Sequence, residues 1–402
     1  MPRVPTRRLV GALLALATLT PLALTSPSAQ ALPPTAAVVR AAHPDGAPHQ
    51  ELDPALVARL DEAIARVRSE AGIPGVTVGL WLPGRGTYVR STGVADTATG
   101  RPMTPDLNMR IGSETKTFTV TALLELVDDG LIGLDDPISA YLDCVPDGEH
   151  ITIRQLAEMR SGLFSYTFDP DFVQALLSEP TRSFTPPELL DYAFRHPNVF
   201  APGSAFEYSN TNIVLLGLVV EKLTGMPLAD VIHQRVTGPA GLHHTFLPEG
   251  AEFPEPHAHG YTRQTLSGEV ADTTDWNPSW GWAAGAMISD LHDLHRWAKV
   301  VATGTLLSPA TQTQREQFLS LPGFSDGGYG LGLFRTHGWV GHNGSLPGYE
   351  SVTMYLPEQD ATMVVLLNTD IPYAGSEPST LVANAVTSIV TPENVYQLPV
   401  HG

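Results

Sequence analysis

Strand-like and helix-like patterns divide this chain into three parts, and their order most constrains the fold. β-Branched runs lie at Val76–Leu82 and Thr87–Val94, and Pro83-Gly84-Arg85-Gly86 between them predicts a hairpin. The other strand-like runs come only near the far end of the chain, at Tyr329–Arg335, Glu350–Tyr355 and Thr362–Asn368. This order predicts an α+β fold, with an antiparallel sheet built from both chain ends and flanked by helices.

Helical patterns fill the middle of the chain and also flank the strands. Asp53-Pro54 begins an amphipathic stretch that Gly72 ends, and Leu381–Ile389 reads as a last helix. The central patterns are Thr117–Asp129, Ile153–Arg160, Pro186–Phe194 and Ile213–Leu223. We therefore expect one bilobed catalytic unit over residues 53–393. Its α/β lobe would comprise about 53–115 plus 286–393, and its inserted helical lobe about 116–285.

The N-terminus has the layout of a secretory signal peptide. Three arginines precede an apolar run from Leu9 to Leu24, and Ala29-Gln30-Ala31 follows as a small-x-small cleavage signal. A membrane anchor needs ~20 uninterrupted apolar residues, and Thr18, Thr20 and Pro21 interrupt this run. The sequence thus predicts a secreted protein with no stable membrane anchor after cleavage of residues 1–31. Residues 32–52, rich in Ala, Pro and Gly, are predicted as a flexible lead-in, and residues 394–402 as a tail.

Charge and cysteine content exclude other classes of protein. The formal net charge is −19, from 42 acidic and 23 basic residues, whereas nucleic-acid binding requires an excess of Lys and Arg. Cys144 is the single cysteine, so no intramolecular disulfide can form, and we expect a buried or unpaired thiol. The histidine pairs lack the spacing of a zinc site, and no phosphate-binding glycine loop occurs. No metal or cofactor is expected.

The first candidate for chemistry is Ser113, which opens the apolar helical pattern after Ile111-Gly112. Lys116 follows three residues later, on the same helix face. A serine hydroxyl becomes a nucleophile only when a base removes its proton, and Lys116 can be that base if burial lowers its pKa. Alone, this pattern is more often an exposed helix start.

Two further motifs follow in the chain. Tyr208-Ser209-Asn210 precedes the apolar helical pattern, and Asn210 can both donate to a substrate carbonyl and accept from an ammonium. The other motif is His342-Asn343-Gly344-Ser345, where glycine lets a strand edge approach a ligand closely. A backbone N–H in this segment, paired with that of Ser113, could form an oxyanion hole, and His342 would add a proton-responsive positive group. Taken singly, these motifs also fit a helix cap and a turn between strands.

Together, the three motifs resemble the serine β-lactamase and penicillin-binding protein superfamily. Ser-x-x-Lys, Tyr-x-Asn and His-x-Gly occur here in the family's order, and the resemblance spans about residues 53–393. Tyr-Ser-Asn with His-x-Gly is similar to the class C-like branch, and most of all to secreted serine D-alanyl-D-alanine carboxypeptidases. The implied fold is the β-lactamase/transpeptidase-like one.

The resemblance implies an acyl-enzyme hydrolase. Ser113 would attack a carbonyl, with Lys116 and Tyr208 sharing proton transfer, and which of these two is the base stays open. Backbone N–H groups of Ser113 and Ser345 would hold the oxyanion. Asn210 would contact the substrate amide, and His342 would tune Tyr208 and the leaving group. The implied partners are peptidoglycan stem peptides ending in D-Ala-D-Ala, with β-lactams as inhibitors or substrates.

Several substrate-binding residues are expected from the same resemblance. Gly344, Ser345 and Asn343 belong to the third motif, and Trp280 and Phe164 (or Tyr166) match aromatic positions that line the family's cleft.

One position departs from the family pattern. Where the similar carboxypeptidases carry an arginine that binds the terminal carboxylate, this chain has Phe334, and Arg335 comes one residue later. A shift of one residue along a strand reverses the side-chain face. Arg335 can therefore bind a carboxylate only if a bulge restores its direction.

The function expected from these residues is that of a secreted serine D-alanyl-D-alanine carboxypeptidase, with transpeptidation as an additional reaction open to the same acyl-enzyme. A class C-like β-lactamase, or an esterase or D-amino-acid peptidase of the same fold, is the alternative within the family. A non-catalytic penicillin-binding or sensor protein is the alternative of another class, and the intact motifs count against it.

Overall fold

The computed structural model describes residues 50–321 and 324–398. The predicted signal peptide and residues 32–49 of the predicted lead-in lie outside this part of the chain. Residues 50–52 belong to the fold, because Leu52 is buried and its N–H donates to the carbonyl of Thr87.

Within the described residues, nine strands form one sheet that unites the two chain ends. The strands of the whole fold are β1 (Gly75–Leu82), β2 (Gly86–Asp96), β3 (Arg101–Pro102), β4 (Met109–Arg110), β5 (Tyr261–Thr262), β6 (Ala271–Asp272), β7 (Ile288–Ser289), β8 (Leu319–Leu321), β9 (Phe324–Tyr329), β10 (Phe334–Thr336), β11 (Trp339–Leu346), β12 (Tyr349–Leu356) and β13 (Ala361–Leu367). The order in the large sheet is β3-β2-β1-β13-β12-β11-β10-β9-β8, and every neighbouring pair is antiparallel. The predicted antiparallel sheet from both chain ends is confirmed.

Helices cover the sheet and fill the inserted region. They are α1 (Pro54–Ala71), α2 (Thr115–Asp128), α3 (Ile153–Ala157), α4 (Pro170–Ser178), α5 (Pro186–Phe194), α6 (Asn210–Thr224), α7 (Leu228–Ile232), α8 (Gly238–Ala240), α9 (Trp282–Gly285), α10 (Leu291–Thr303), α11 (Pro309–Arg315) and α12 (Pro378–Val390). A π-helical turn, His233–Thr237, joins α7 to α8. The α+β class predicted from the sequence is therefore confirmed.

The capping signals in the sequence place the ends of the first helix correctly. The Asp53 carboxylate accepts from the backbone N–H groups of Ala55 and Leu56, and Pro54 occupies the first turn. Gly72 ends the helix in the left-handed conformation, with φ of 67°.

The predicted strand over residues 329–335 is wrong in one respect, because residues 330–333 form a loop between β9 and β10. Gly332 adopts φ of 60°, which extended backbone does not, and its N–H donates to the carbonyl of Ala157 in the helical lobe. Residues 394–398, predicted as part of a tail, also belong to the fold. The Tyr396 side chain is buried, and the Trp339 indole donates to the carbonyl of Asn394.

A single network of buried apolar side chains joins the sheet to the helices. Its members include Val78 and Val365 in the sheet, Phe118 in α2, Leu216 in α6 and Trp297 in α10. Cys144 is unpaired and exposed. In the described part of the chain, no single helix could span a membrane by length and composition, and one bent pair, Asn210–Thr224 with Leu228–Ala240, meets the criterion jointly.

Candidate active site

Ser113 lies in a short 3₁₀ turn, Gly112–Glu114, that runs directly into α2. The turn places Lys116 in the first turn of the helix, with its Nζ 2.8 Å from the Ser113 Oγ. The spacing predicted from the sequence thus becomes a direct contact between nucleophile and amine. Ser113 is partly exposed, so a substrate can reach it.

Lys116 has no carboxylate partner among its described hydrogen bonds. Its side chain is fully buried, its Nζ donates to the carbonyl of Ala284 over 2.7 Å, and it lies 4.8 Å from the centre of the Tyr208 ring. Burial lowers the pKa of Lys116 well below its ordinary value. A neutral amine next to a serine hydroxyl can accept its proton.

Tyr208 comes just before α6 and faces Ser113 from the helical lobe. Its buried hydroxyl makes no hydrogen bond of normal geometry among the described residues. Burial raises the pKa of Tyr208 above its ordinary value, although the nearby Ser113 hydroxyl offsets part of this effect. Tyr208 therefore stays a neutral phenol that can donate a proton.

Asn210 begins α6 and is held by polar groups of the segment between α3 and α4. Its backbone N–H donates to the Ser165 hydroxyl over 3.1 Å, and its Nδ2 lies 3.4 Å from the Thr167 hydroxyl. Its side chain lines the same cavities as Ser113.

His342 differs from the sequence-based expectation of a positively charged group. Its side chain is buried, and burial, with a smaller contribution from Lys116, lowers the pKa of His342 to about 3. Its Nδ1 lies 2.6 Å from the carbonyl oxygen of Asn343 and must donate to it, so Nε2 accepts from the Tyr329 hydroxyl at 3.1 Å. His342 is a neutral imidazole that positions Tyr329, whose ring meets that of Tyr208 edge-on.

Strand β11 packs so closely against the serine turn that no side chain fits between the two backbones. A Cβ on Gly344 would lie 1.9 Å from the Ile111 carbonyl oxygen, and a Cβ on Gly112 would lie 2.8 Å from the backbone nitrogen of Ser345. Only glycine fits at both positions. The Gly344–Ser345 backbone thus lies directly against the serine turn, the place where the backbone N–H groups of Ser113 and Ser345 are expected to form the oxyanion hole.

Two cavities meet at Ser113. The smaller, about 160 Å³, is also lined by Tyr166, Thr167, Gln264 and Trp280. The larger, about 340 Å³, is lined by Ser113 and by three other predicted catalytic residues, Tyr208, Asn210 and His342. Its remaining lining residues are Phe168, Phe206, Leu321, Tyr329, Phe334, Asn343, Ser345, Glu377 and Leu398.

Some of the predicted substrate-binding residues line the two cavities, and others do not. Asn343 and Ser345 line the larger cavity, and Trp280 lines the smaller one. Phe164 lines neither and stacks on His196, whereas Tyr166 does line the smaller cavity.

Arg335 is not brought into the site, which corrects its prediction as a substrate-binding residue. No bulge restores its direction, because Arg335 pairs regularly with Val340 across β10 and β11. Its exposed guanidinium lies over the ring of Phe318, 4.7 Å from the ring centre. Phe334 faces the larger cavity in its place.

Glu377, Tyr329 and Glu114 were not predicted from the sequence. Glu377 precedes α12, far from any motif, and only the fold carries it to the cavity. Glu114 lies next to the nucleophile but points away into the core, where burial raises its pKa to about 8. No group of three or more His, Cys, Asp or Glu side chains suited to a metal ion occurs in the described residues.

Comparisons with known proteins agree with this geometry. The D-aminopeptidase of Brucella anthropi is 29% identical over 309 residues, which are 73% of this chain and 56% of the relative, so the chain spans just over half its length. A D-stereospecific amidohydrolase from Streptomyces sp. superposes with a TM-score of 0.75 at 30% identity, over 83% of this chain and 98% of that one. The D-amino acid amidase from Ochrobactrum anthropi SV3, in complex with L-phenylalanine amide, gives a TM-score of 0.72 at 30% identity, over 84% and 96%.

The family profile covers most of the described chain. Residues 60–386 match the Beta-lactamase family, and this range includes the serine turn, the Tyr208 segment and strand β11. With Ser113 and Lys116 in contact inside the matching fold, the chain belongs to the Beta-lactamase family of serine hydrolases.

Proposed function

We propose that this protein is a D-stereospecific serine amidohydrolase, which cleaves the amide bond on the carbonyl side of a D-amino acid residue. The observation that carries the catalytic part is the 2.8 Å contact between the Ser113 Oγ and the buried Nζ of Lys116. Support for the D-amino acid substrate comes from the similar D-aminopeptidase, D-stereospecific amidohydrolase and D-amino acid amidase.

In the proposed acylation step, the neutral Lys116 accepts the proton of Ser113 while Oγ attacks the amide carbon. The oxyanion lies between the backbone N–H groups of Ser113 and Ser345. Tyr208 donates its proton to the leaving nitrogen as the C–N bond breaks, and Lys116 returns a proton to Tyr208. This assigns the base to Lys116, because burial raises the pKa of Tyr208 and keeps it in the protonated phenol form.

In the proposed deacylation step, water attacks the ester carbon and gives its proton to Lys116, and Lys116 passes this proton to the Ser113 Oγ as the ester C–O bond breaks. The net reaction adds one water across the amide bond and yields a carboxylic acid and an amine.

A D-alanyl-D-alanine carboxypeptidase, the main expectation from the sequence, has less support than this alternative. The arginine that would bind a terminal carboxylate is replaced by Phe334, and Arg335 faces away. Export and a cell-wall substrate stay predictions from the sequence. Acylation of Ser113 by a β-lactam is also still predicted, since a β-lactam needs the same nucleophile.

Ammonia release from D- and L-phenylalaninamide tests the proposal. We expect the D-amide to be hydrolysed at least ~100-fold faster in kcat/KM, and Ser113→Ala to abolish this activity. Ser178→Ala, at an exposed position in α4, is the matched control and should match the wild type. Equal rates on both enantiomers, or hydrolysis of esters alone, would contradict the proposal.

A further inference from the structure

In the proposed mechanism, the leaving group occupies the larger cavity beside Ser113. A general acid must lie next to the atom that it protonates. Tyr208 lines this cavity and does not line the smaller one. The acyl part of a substrate then extends into the smaller cavity, between Tyr166, Gln264 and Trp280.

Glu377 gives this cavity an acidic character. Of the described residues that line it, none is Lys or Arg, and His342 is neutral because of burial. The Glu377 carboxylate does not cap α12, and the one hydrogen bond to it from the described residues comes from the Asn343 Nδ2 over 3.3 Å. Glu377 is itself one of the residues that line the cavity.

Glu350 is a second buried carboxyl group, and it interacts electrostatically with Glu377. Burial raises the pKa of both carboxyl groups, and Glu350, which is 2% exposed, is the more deeply buried. Of the two carboxyl groups, Glu377 is the one that lines the cavity, and Glu350 is not among the lining residues.

We propose that Glu377, held by Asn343, selects leaving groups that are neutral or cationic and rejects those that end in a carboxylate. An anionic leaving group would bring a second negative charge into a cavity without a cation among its described lining residues. Amide and amine donors of a neutral leaving group instead find a carboxylate acceptor. This inference rests on the proposed amidohydrolase function and names the leaving-group class of that same site.

Matched substrates test this selectivity. D-Alanyl-D-alaninamide and D-alanyl-D-alanine differ only in the charge of the leaving group, as do 3-carbamoylphenyl and 3-carboxyphenyl acetate. We expect the neutral member of each pair to have at least ~10-fold higher kcat/KM in the wild type. Glu377→Gln should reduce this ratio at least ~5-fold, mainly by raising the rate on the anionic member, since the amide keeps the shape of the side chain.

Glu358→Gln, which removes the same charge at an exposed turn, is the control and should leave both ratios unchanged. A wild-type ratio near one, or one that Glu377→Gln leaves unaltered, would overturn the inference, and the wild-type ratio needs no variant to fold. The acetates contain no D-amino acid, so they still report on Glu377 if the D-amide activity is absent. If neither acetate is hydrolysed, the inference is also overturned, because the larger cavity then does not accept even a neutral leaving group.

Discussion

At the scale of the residue, burial sets the protonation of the groups around Ser113. It lowers the pKa of the Lys116 ammonium and raises that of the Tyr208 phenol, because it disfavours the charged form of each. Both groups are therefore neutral at rest, and the amine can accept a proton while the phenol can donate one. No separate charged base is needed.

Lys116→Arg tests this assignment. An arginine stays protonated at all accessible pH, so we expect kcat/KM to fall by about 100- to 10,000-fold, without recovery at alkaline pH. In the wild type, kcat/KM should fall as the pH drops, because Lys116 then gains its proton. Lys222→Arg, at an exposed position in α6, is the control. An active Lys116→Arg protein would assign the base elsewhere.

Glu114 makes the stability of the fold depend on pH. Its pKa is raised from 4.5 to about 8 by burial, so between these values the unfolded chain loses a proton that the folded one keeps. Stability therefore falls as the pH rises through this window, by at most about 1.4 kcal/mol per pH unit from this residue.

Glu114→Gln should reduce that slope, as measured by urea unfolding between pH 5 and pH 8. Glu358→Gln is the exposed control and should keep the slope of the wild type. Identical slopes in all three proteins would show that Glu114 titrates normally.

The sequence alone identifies those catalytic residues that must lie at a fixed distance from each other along the chain. Ser113 and Lys116 are neighbours on one helix, so their contact follows from helix geometry alone. The charge of His342 could not be predicted, because it depends on burial by distant segments. Glu377 carries no motif at all, and its position depends on where α12 begins.

At the scale of the element, β11 must approach the serine turn without an intervening side chain. In Gly344→Ala the new Cβ would meet the Ile111 carbonyl oxygen at 1.9 Å and separate the strand from the turn. We expect kcat/KM to fall about 100-fold or more, as when an oxyanion donor is lost. Gly250→Ala, where the nearest atom is 3.5 Å away, is the control. Unchanged activity in Gly344→Ala would exclude this strand from the oxyanion hole.

The register of β10 separates the roles of Phe334 and Arg335. Arg335→Ala should leave kcat/KM within about twofold of the wild type, because the exposed guanidinium only covers the Phe318 ring, a contact of about 0.5–1 kcal/mol. Phe334→Ala should lower kcat/KM, because it removes a wall of the larger cavity. A tenfold loss in Arg335→Ala would return this arginine to the site.

Local signals in the sequence predicted only part of the elements, and α4, α10 and β11 were not among them. The β1–β2 hairpin, the ends of α1 and the five helical patterns follow from periodicity, glycines and caps. The loop at residues 330–333 and the packed residues 394–398 could not be predicted this way. Contacts with Ala157 and Trp339, distant in sequence, hold them in place.

At the scale of the whole molecule, the buried apolar network crosses from the sheet to the inserted helices. The single bilobed unit predicted over residues 53–393 should therefore unfold in one transition. Tryptophan fluorescence reports on both lobes, through Trp81 and Trp339 in the sheet and Trp280 and Trp282 beside the helices. We expect its urea midpoint to coincide with that of far-UV circular dichroism. Two separated midpoints would indicate lobes that fold independently.

The pairing of β1 with β13 also has a consequence for biosynthesis. The Gly75 N–H donates to the Asn368 side chain, 293 positions later, so the centre of the sheet closes only after nearly all of the chain has been made. A ribosome that stops before residue 344 releases a polypeptide with its nucleophile and amine but no strand to stabilise the oxyanion. We therefore expect chains that end before β11 to lack hydrolytic activity.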